Sequence, residues 1–223
     1  MHQRKSKKIL VYFFLLIIFS TIGNESLNHL RFENIKNIQI SGLDDKNSHL
    51  LQKKIKNLNL GNIFFLNEAD IIKTINSISL IETFEIYKNY PASINIKIKK
   101  TNFLAKMNNN GKTFLIGSNG KLTLDELNYY DLPFLFGKPN IQEFINFKKI
   151  LDKSDFSYNE IKHLYFFPSK RWDLKFKNNT TLKLPHNVNV KILNDLYGFL
   201  ENYSNQNLTI IDARIINQII LNE

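Results

Sequence analysis

The chain has 223 residues, a formal net charge of +10, 43% hydrophobic side chains and no cysteine. That is apolar material enough for a real core in one large or two modest domains, and the lack of cysteine excludes disulfides, thiol catalysis and cysteine-ligated zinc or iron–sulfur centres. The cations are scattered among Asn, Asp and Glu, with no helix-turn-helix turn, zinc-finger spacing or aromatic–basic run, so nucleic acid is not an expected partner.

Arg4, Lys5, Lys7 and Lys8 crowd residues 1–8, which read as a short cytoplasmic tail. The uncharged apolar run that follows reads as a transmembrane helix over residues 9–24, with Ile9, Phe14, Leu16, Ile18 and Ile22 as anchor positions. Basic residues before an apolar segment keep that end in the cytoplasm, which places the bulk of the chain outside it. The run Ile9–Ile22 is short, about 21 Å as a helix against roughly 30 Å of hydrocarbon. A signal-peptide core is therefore the rival reading, although no A-x-A cleavage pattern follows it.

Residues 25–34 are polar and read as a linker. Ile35 to Ser41 alternates apolar and polar as a half-buried strand does, and Gly42 offers a turn. Leu50, Leu51, Ile55 and Leu58 recur at helical spacing over Asn47 to Leu58, with Asn47 or Ser48 as a cap. The neighbouring acids Asp44-Asp45 read as the opening of that helix. Asn67 caps a second helix with Ile71, Ile72, Ile75 and Ile78 on one face. Ile81 to Lys88 and Ser93 to Lys99 alternate as strands around a turn at Tyr90-Pro91. Strand, helix, helix, strand, strand makes a self-contained α+β unit over residues 35–100.

Residues 101–223 predict a second unit, a long antiparallel sheet with two helices packed on it. Its strands fall over Phe103–Met107, Lys112–Ile116, Ile161–Phe167, Trp172–Lys177, Thr181–Leu184, Leu208–Asp212 and Ile215–Leu221, and its helices over Ile141–Leu151 and Val188–Leu200. No constellation for catalysis is visible. The histidines His2, His29, His49, His163 and His186 lack any metal-ligand or acid–base spacing, and Gly117-Ser118-Asn119-Gly120 reads as a hairpin turn, not a nucleophile elbow. The one tryptophan, in Arg171-Trp172-Asp173-Leu174, reads as core with Arg171 and Asp173 turned outward. Neither a cofactor nor a metal is expected.

Several short runs, in this order and spacing, together resemble the FtsQ/DivIB family of cell division proteins, in the form found in alphaproteobacteria. In the first unit they are Ile38-Gln39-Ile40-Ser41-Gly42, Gly61-Asn62-Ile63-Phe64-Phe65, Ile81-Glu82, Lys88-Asn89-Tyr90-Pro91 and Ile94-Asn95-Ile96-Lys97-Ile98. In the second they are Ala105, Gly120-Lys121, Leu132-Pro133, Gly137, Arg171-Trp172-Asp173-Leu174, Leu182-Lys183-Leu184-Pro185 and Ile211-Asp212-Ala213-Arg214. Lys99-Lys100 stand where the family often has an acid, and Ala213 interrupts its Asp-Leu-Arg run.

The resemblance implies a POTRA domain over 35–100 followed by the family's β domain over 101–223. It implies a non-enzymatic single-pass inner-membrane scaffold at the division septum. The last strand would bind FtsB in complex with FtsL, with FtsK and FtsW–FtsI as further partners. The family position, carried to this chain by motif, gives Arg214 and Ile215 as partner-binding residues, and the expected last strand continues the site through Ile216, Asn217, Gln218 and Ile219. The alternative is another POTRA-containing periplasmic protein, acting in outer-membrane protein assembly or secretion.

Overall fold

The computed structural model describes residues 7–21, 33–125, 131–202, 208–215 and 218–222. Helix α1 is Lys7–Thr21, 15 residues with no buried side chain. The expected membrane-spanning helix over 9–24 is not found at that length. Fifteen residues rise only about 22 Å, and among the described residues no helix is long and apolar enough to cross a membrane. Ile9, Phe14 and Leu16 are exposed and Ile18 is partly so, while Ile22 lies outside the described residues.

The first unit comprises β1 (Asn37–Ser41), α2 (Asp45–Lys56), a 3-10 turn (Ile63–Phe65), α3 (Glu68–Asn76), β2 (Ile81–Asn89) and β3 (Ser93–Lys100). Its sheet runs β1-β3-β2, with β1 parallel and β2 antiparallel to β3. Helix α2 begins two residues before the expected start. Its cap is Asp44, whose carboxylate accepts the Asn47 N–H at 3.2 Å, because an acid there satisfies an orphan donor and complements the dipole. These bonds from Asn47 hold the Asp44 pKa down at about 2. Leu51, Ile55, Ile71 and Ile75 from the helices close over Ile38, Ile94, Ile96 and Ile98 of the sheet. Gly42 turns the chain at φ +94°, where a Cβ would lie 1.8 Å from the Ile98 carbonyl oxygen, so only glycine fits.

The second unit comprises β4 (Phe103–Asn109), β5 (Lys112–Gly117), β6 (Leu122–Leu124), β7 (Phe134–Phe136), α4 (Ile141–Leu151), β8 (Ile161–Phe166), β9 (Trp172–Phe176), β10 (Thr181–Lys183), α5 (Val190–Asn202), β11 (Ile210–Asp212) and β12 (Ile220–Asn222). The strands form one nine-stranded sheet in the order β12-β11-β10-β9-β8-β7-β4-β5-β6. It is mixed, not antiparallel throughout as expected. Strand β7 enters between β4 and β8 and runs parallel to both, and β11 runs parallel to β10 after the crossover through α5. Trp172 is core, stacked on Phe147 of α4 at 4.4 Å with the rings nearly coplanar. Asp173, expected outside, is buried, and Arg171 donates to it through Nε at 3.1 Å. Burial raises its pKa and Arg171 opposes that rise.

The units join through a polar cluster. Glu82 accepts hydroxyl bonds from Thr101 and Ser118, both at 2.8 Å. The Asn119 amide donates to the carbonyls of Ser79 and Ile81 at 2.9 and 2.8 Å. Lys121 Nζ donates to the Asn76 carbonyl at 2.8 Å, and the hydroxyls of Thr123 and Ser79 meet at 2.8 Å. The Gly117–Gly120 turn is thus the piece that clasps the first unit.

Candidate functional site

A sheet of nine strands that does not close has two edges, each with a row of backbone groups that neighbouring strands do not satisfy. The β6 edge lies at the clasp, with Thr123 against Ser79 and Lys121 against Asn76. The β12 edge is at the far side of the sheet, and among the described residues no strand pairs with its outer side.

What leads up to β12 is ordered by register. Leu135 faces Leu164, then Leu174, Leu182, Ile211 and finally Leu221, strand by strand from β7 to β12. The first five of these are buried, whereas Leu221 is 37% exposed. The apolar row is therefore cut off at its last member, and cross-strand neighbours are the unit of sheet stabilisation. The adjacent register holds Tyr165, Asp173, Lys183, Asp212 and Ile220, a row of alternating charge that ends beside the same edge.

The last strand is shorter and later than the expected Ile215–Leu221. Arg214 and Ile215 belong to the connection from β11 to β12, where the chain bends at Ile215 and the Gln218 N–H donates to the Ile215 carbonyl at 3.2 Å. Ile216 and Asn217 lie outside the described residues. Arg214 is turned back on its own connection. Its Nε donates to both oxygens of Asp212, at 2.7 and 2.8 Å, and its backbone N–H to one of them at 3.1 Å. The Arg214 bond holds the Asp212 carboxyl below its ordinary range and raises the guanidinium in turn. Ala213 is buried and its N–H donates to the Lys183 carbonyl at 2.9 Å.

Beside the edge, Ile215, Gln218 and Ile219 form one wall of an apolar cleft of about 310 Å³, opposite Ile192 and Leu196 of α5. Strand edge and cleft together could accept an extended segment by main-chain hydrogen bonds, with an apolar side chain seated in the cleft. Of the partner-binding residues that the resemblance led us to expect on the last strand, Ile215, Gln218 and Ile219 line this cleft; Leu221 and the α5 wall were not among them. The signal for Leu221 lay in the register, which no single segment reveals.

Among the described residues no three His, Asp or Glu side chains gather closely enough to hold a metal ion. His163 lies against Phe136 and Tyr165, and burial lowers its pKa, helped by Lys162 and Lys175. His2 and His29 lie outside the described residues.

Residues 33–100 match the family model described as POTRA domain, FtsQ-type, and residues 101–214 match that of the cell division protein FtsQ/DivIB, C-terminal. No curated protein matches the chain. Among solved structures it is similar to the major extracytoplasmic domain of the trans isomer of the bacterial cell division protein DivIB from Geobacillus stearothermophilus. The identity is 13% and the TM-score 0.32, over 43% of this chain and 83% of that one.

Proposed function

This chain belongs to the FtsQ/DivIB family of cell division proteins, and from that premise we propose that it is a non-enzymatic, membrane-attached scaffold that receives FtsB, in complex with FtsL, on the edge of β12. Helix α1 inserts into the inner membrane with Lys7 and Lys8 at its cytoplasmic end, and the two folded units stand in the periplasm at the septum. Through FtsB and FtsL the protein regulates the septal synthase FtsW–FtsI, and FtsK is a further partner.

The observation that carries this reading is the interrupted row at Leu221. A segment of FtsB that adds as a tenth strand would continue that row with an apolar side chain and satisfy the outer N–H and C=O groups of residues 220–222. Of the connection, Arg214, Ile215, Gln218 and Ile219 flank the added strand. Ile215 and Ile219 offer apolar contact from the cleft wall. Arg214, already held by Asp212, presents its remaining N–H groups at a fixed angle.

The test is binding of the full chain to the FtsB–FtsL complex of the same organism. Wild type should bind. Leu221→Asp, which puts a charge at the end of the apolar row, should lose about 2–3 kcal/mol, on the order of 100-fold in affinity. Leu124→Asp, at the clasped β6 edge, should bind as wild type does. Native affinity in a folded Leu221→Asp protein would move the site off β12.

A further inference from the structure

We propose that the end of the first unit away from the clasp is a lipid-docking surface, on which Phe65 and Tyr90, braced by Phe64, rest in the interfacial layer of the membrane that α1 enters. The proposal rests on the membrane attachment proposed above and gives the first unit a fixed stance on that membrane.

Phe65 is 79% exposed, Tyr90 62% and Phe64 52%, in a unit whose other large apolar side chains mostly close on its core. They come from two separate turns. The rings of Phe64 and Tyr90 meet at 5.1 Å. The 3-10 turn does not present its rings through slack. Ile63 and Leu66 on either side are buried, and the Asn62 side chain accepts the backbone N–H groups of Phe64 and Phe65, both at 3.1 Å. With the flanking residues pinned inward, Phe64 and Phe65 are directed out.

Their place in the topology selects the occupant. The chain enters the unit at this end, since the Ile35 N–H donates to the Gly61 carbonyl at 2.8 Å and the Lys36 N–H to the Ala92 carbonyl at 2.9 Å. Strands β1 and β3 both start here and β2 ends here, so the clasp to the second unit lies a strand length away, about 26 Å for the eight residues of β3. Only residues 22–32 separate Thr21 at the end of α1 from Glu33, which limits the gap to about 40 Å even for a fully extended chain. The rings thus occupy the part of the folded protein tethered nearest the bilayer. Aromatic side chains bordered by polar groups suit the boundary between headgroups and hydrocarbon, and Asn62, Asn67 and Asn89 provide that border. Two of the cations nearby are paired, Lys88 with Glu68 at 2.8 Å and Lys36 with Glu33 at 2.9 Å. Apolar insertion, not attraction to anionic headgroups, is the expected source of binding.

The full chain would be reconstituted in vesicles of phosphatidylethanolamine and phosphatidylglycerol. With no native cysteine, single nitroxides can be placed at Asn89→Cys beside the rings, at Phe14→Cys in α1 and at Lys112→Cys on the second unit. Collision with oxygen and with a water-soluble nickel chelate reads depth. The Phe14 label should lie in hydrocarbon. The Asn89 label should show a severalfold lower nickel collision rate than the Lys112 label, with oxygen access retained and no change on raising the salt. Adding Phe65→Asp or Phe65→Asn should return the Asn89 label to the Lys112 value while the melting temperature holds. An Asn89 label as open to nickel as the Lys112 label, with the Phe14 label in lipid, would overturn the docking surface and leave the attachment standing. A Phe14 label in water would overturn both. Loss of access to both reagents at Asn89 would mean that protein covers the rings, and would also overturn the proposal.

Discussion

At the scale of single residues, two side chains carry more than their share. Trp172 fills the space between β9 and α4 against Phe147, Phe144 and Phe166. Trp172→Ala should cost about 3–5 kcal/mol, read as a fall in the denaturation midpoint with little change in slope. Asp212 is the second. Because Arg214 lowers its folded pKa, the pair's contribution to stability is fully present above the ordinary carboxylate range near 3.9 and is lost as pH falls through the lower folded value. In Arg214→Ala this contribution is gone, so the drop in melting temperature between about pH 4 and pH 2 should be shallower than in wild type. An unchanged slope would mean that the pair contributes nothing the unfolded chain lacks. The core role of Trp172 was legible in the sequence, since a lone tryptophan in an alternating segment is more often core than binding anchor. The burial of Asp173 was not, because alternation assigns it the outer face and only the fold supplies Arg171 and the neighbouring strands around it.

At the scale of elements, helices were read closely, whereas of the short strands β10 and β11 fall within their expected segments, β6 and β7 were not expected and β12 is shorter than expected. Even about two and a half turns of apolar spacing, as in α3 with Ile71 and Ile75 inward, fix a helix and its face without help from the rest of the chain. Strands β6, β7, β10, β11 and β12 have three residues each, too few for a period to declare itself. Strand β7, within a stretch that reads as irregular, is what makes the sheet mixed, and Gly137 just after it has φ +94°, with room for no Cβ beside the Phe166 carbonyl. The apolar run from Ile215 to Leu221 reads as one strand, yet Ile215, Gln218 and Ile219 line a cleft and only the last residues pair. The turn that clasps the units also hid its role, because its partners lie about 40 residues away. Asn119→Ala removes the two carbonyl contacts that Asn119 makes across the clasp and should cost about 1–3 kcal/mol. Amide hydrogen exchange near Ser79–Glu82 should quicken before that of either core. Uniform quickening would mean that the clasp is not a separable element.

At the scale of the whole molecule, the clasp stands between the aromatic end of the first unit and the β12 edge of the second; with α1 in the membrane, as proposed, the aromatic end is the part of the folded units nearest to it. The clasp occupies one sheet edge and leaves the other for a partner, so the same contact that fixes the two units also decides which edge is offered. A long open sheet with an apolar edge is an aggregation hazard unless something covers it. The protein without FtsB should therefore self-associate at high concentration more readily than the complex does, as read by light scattering.

The central claim is that FtsB adds a strand to β12, and hydrogen–deuterium exchange on the full chain with and without FtsB–FtsL tests it most directly. The account predicts slowed exchange in the segment 218–223 on binding, with the β6 edge unchanged. Tight binding with exchange at 218–223 unaltered, and protection appearing elsewhere, would contradict it.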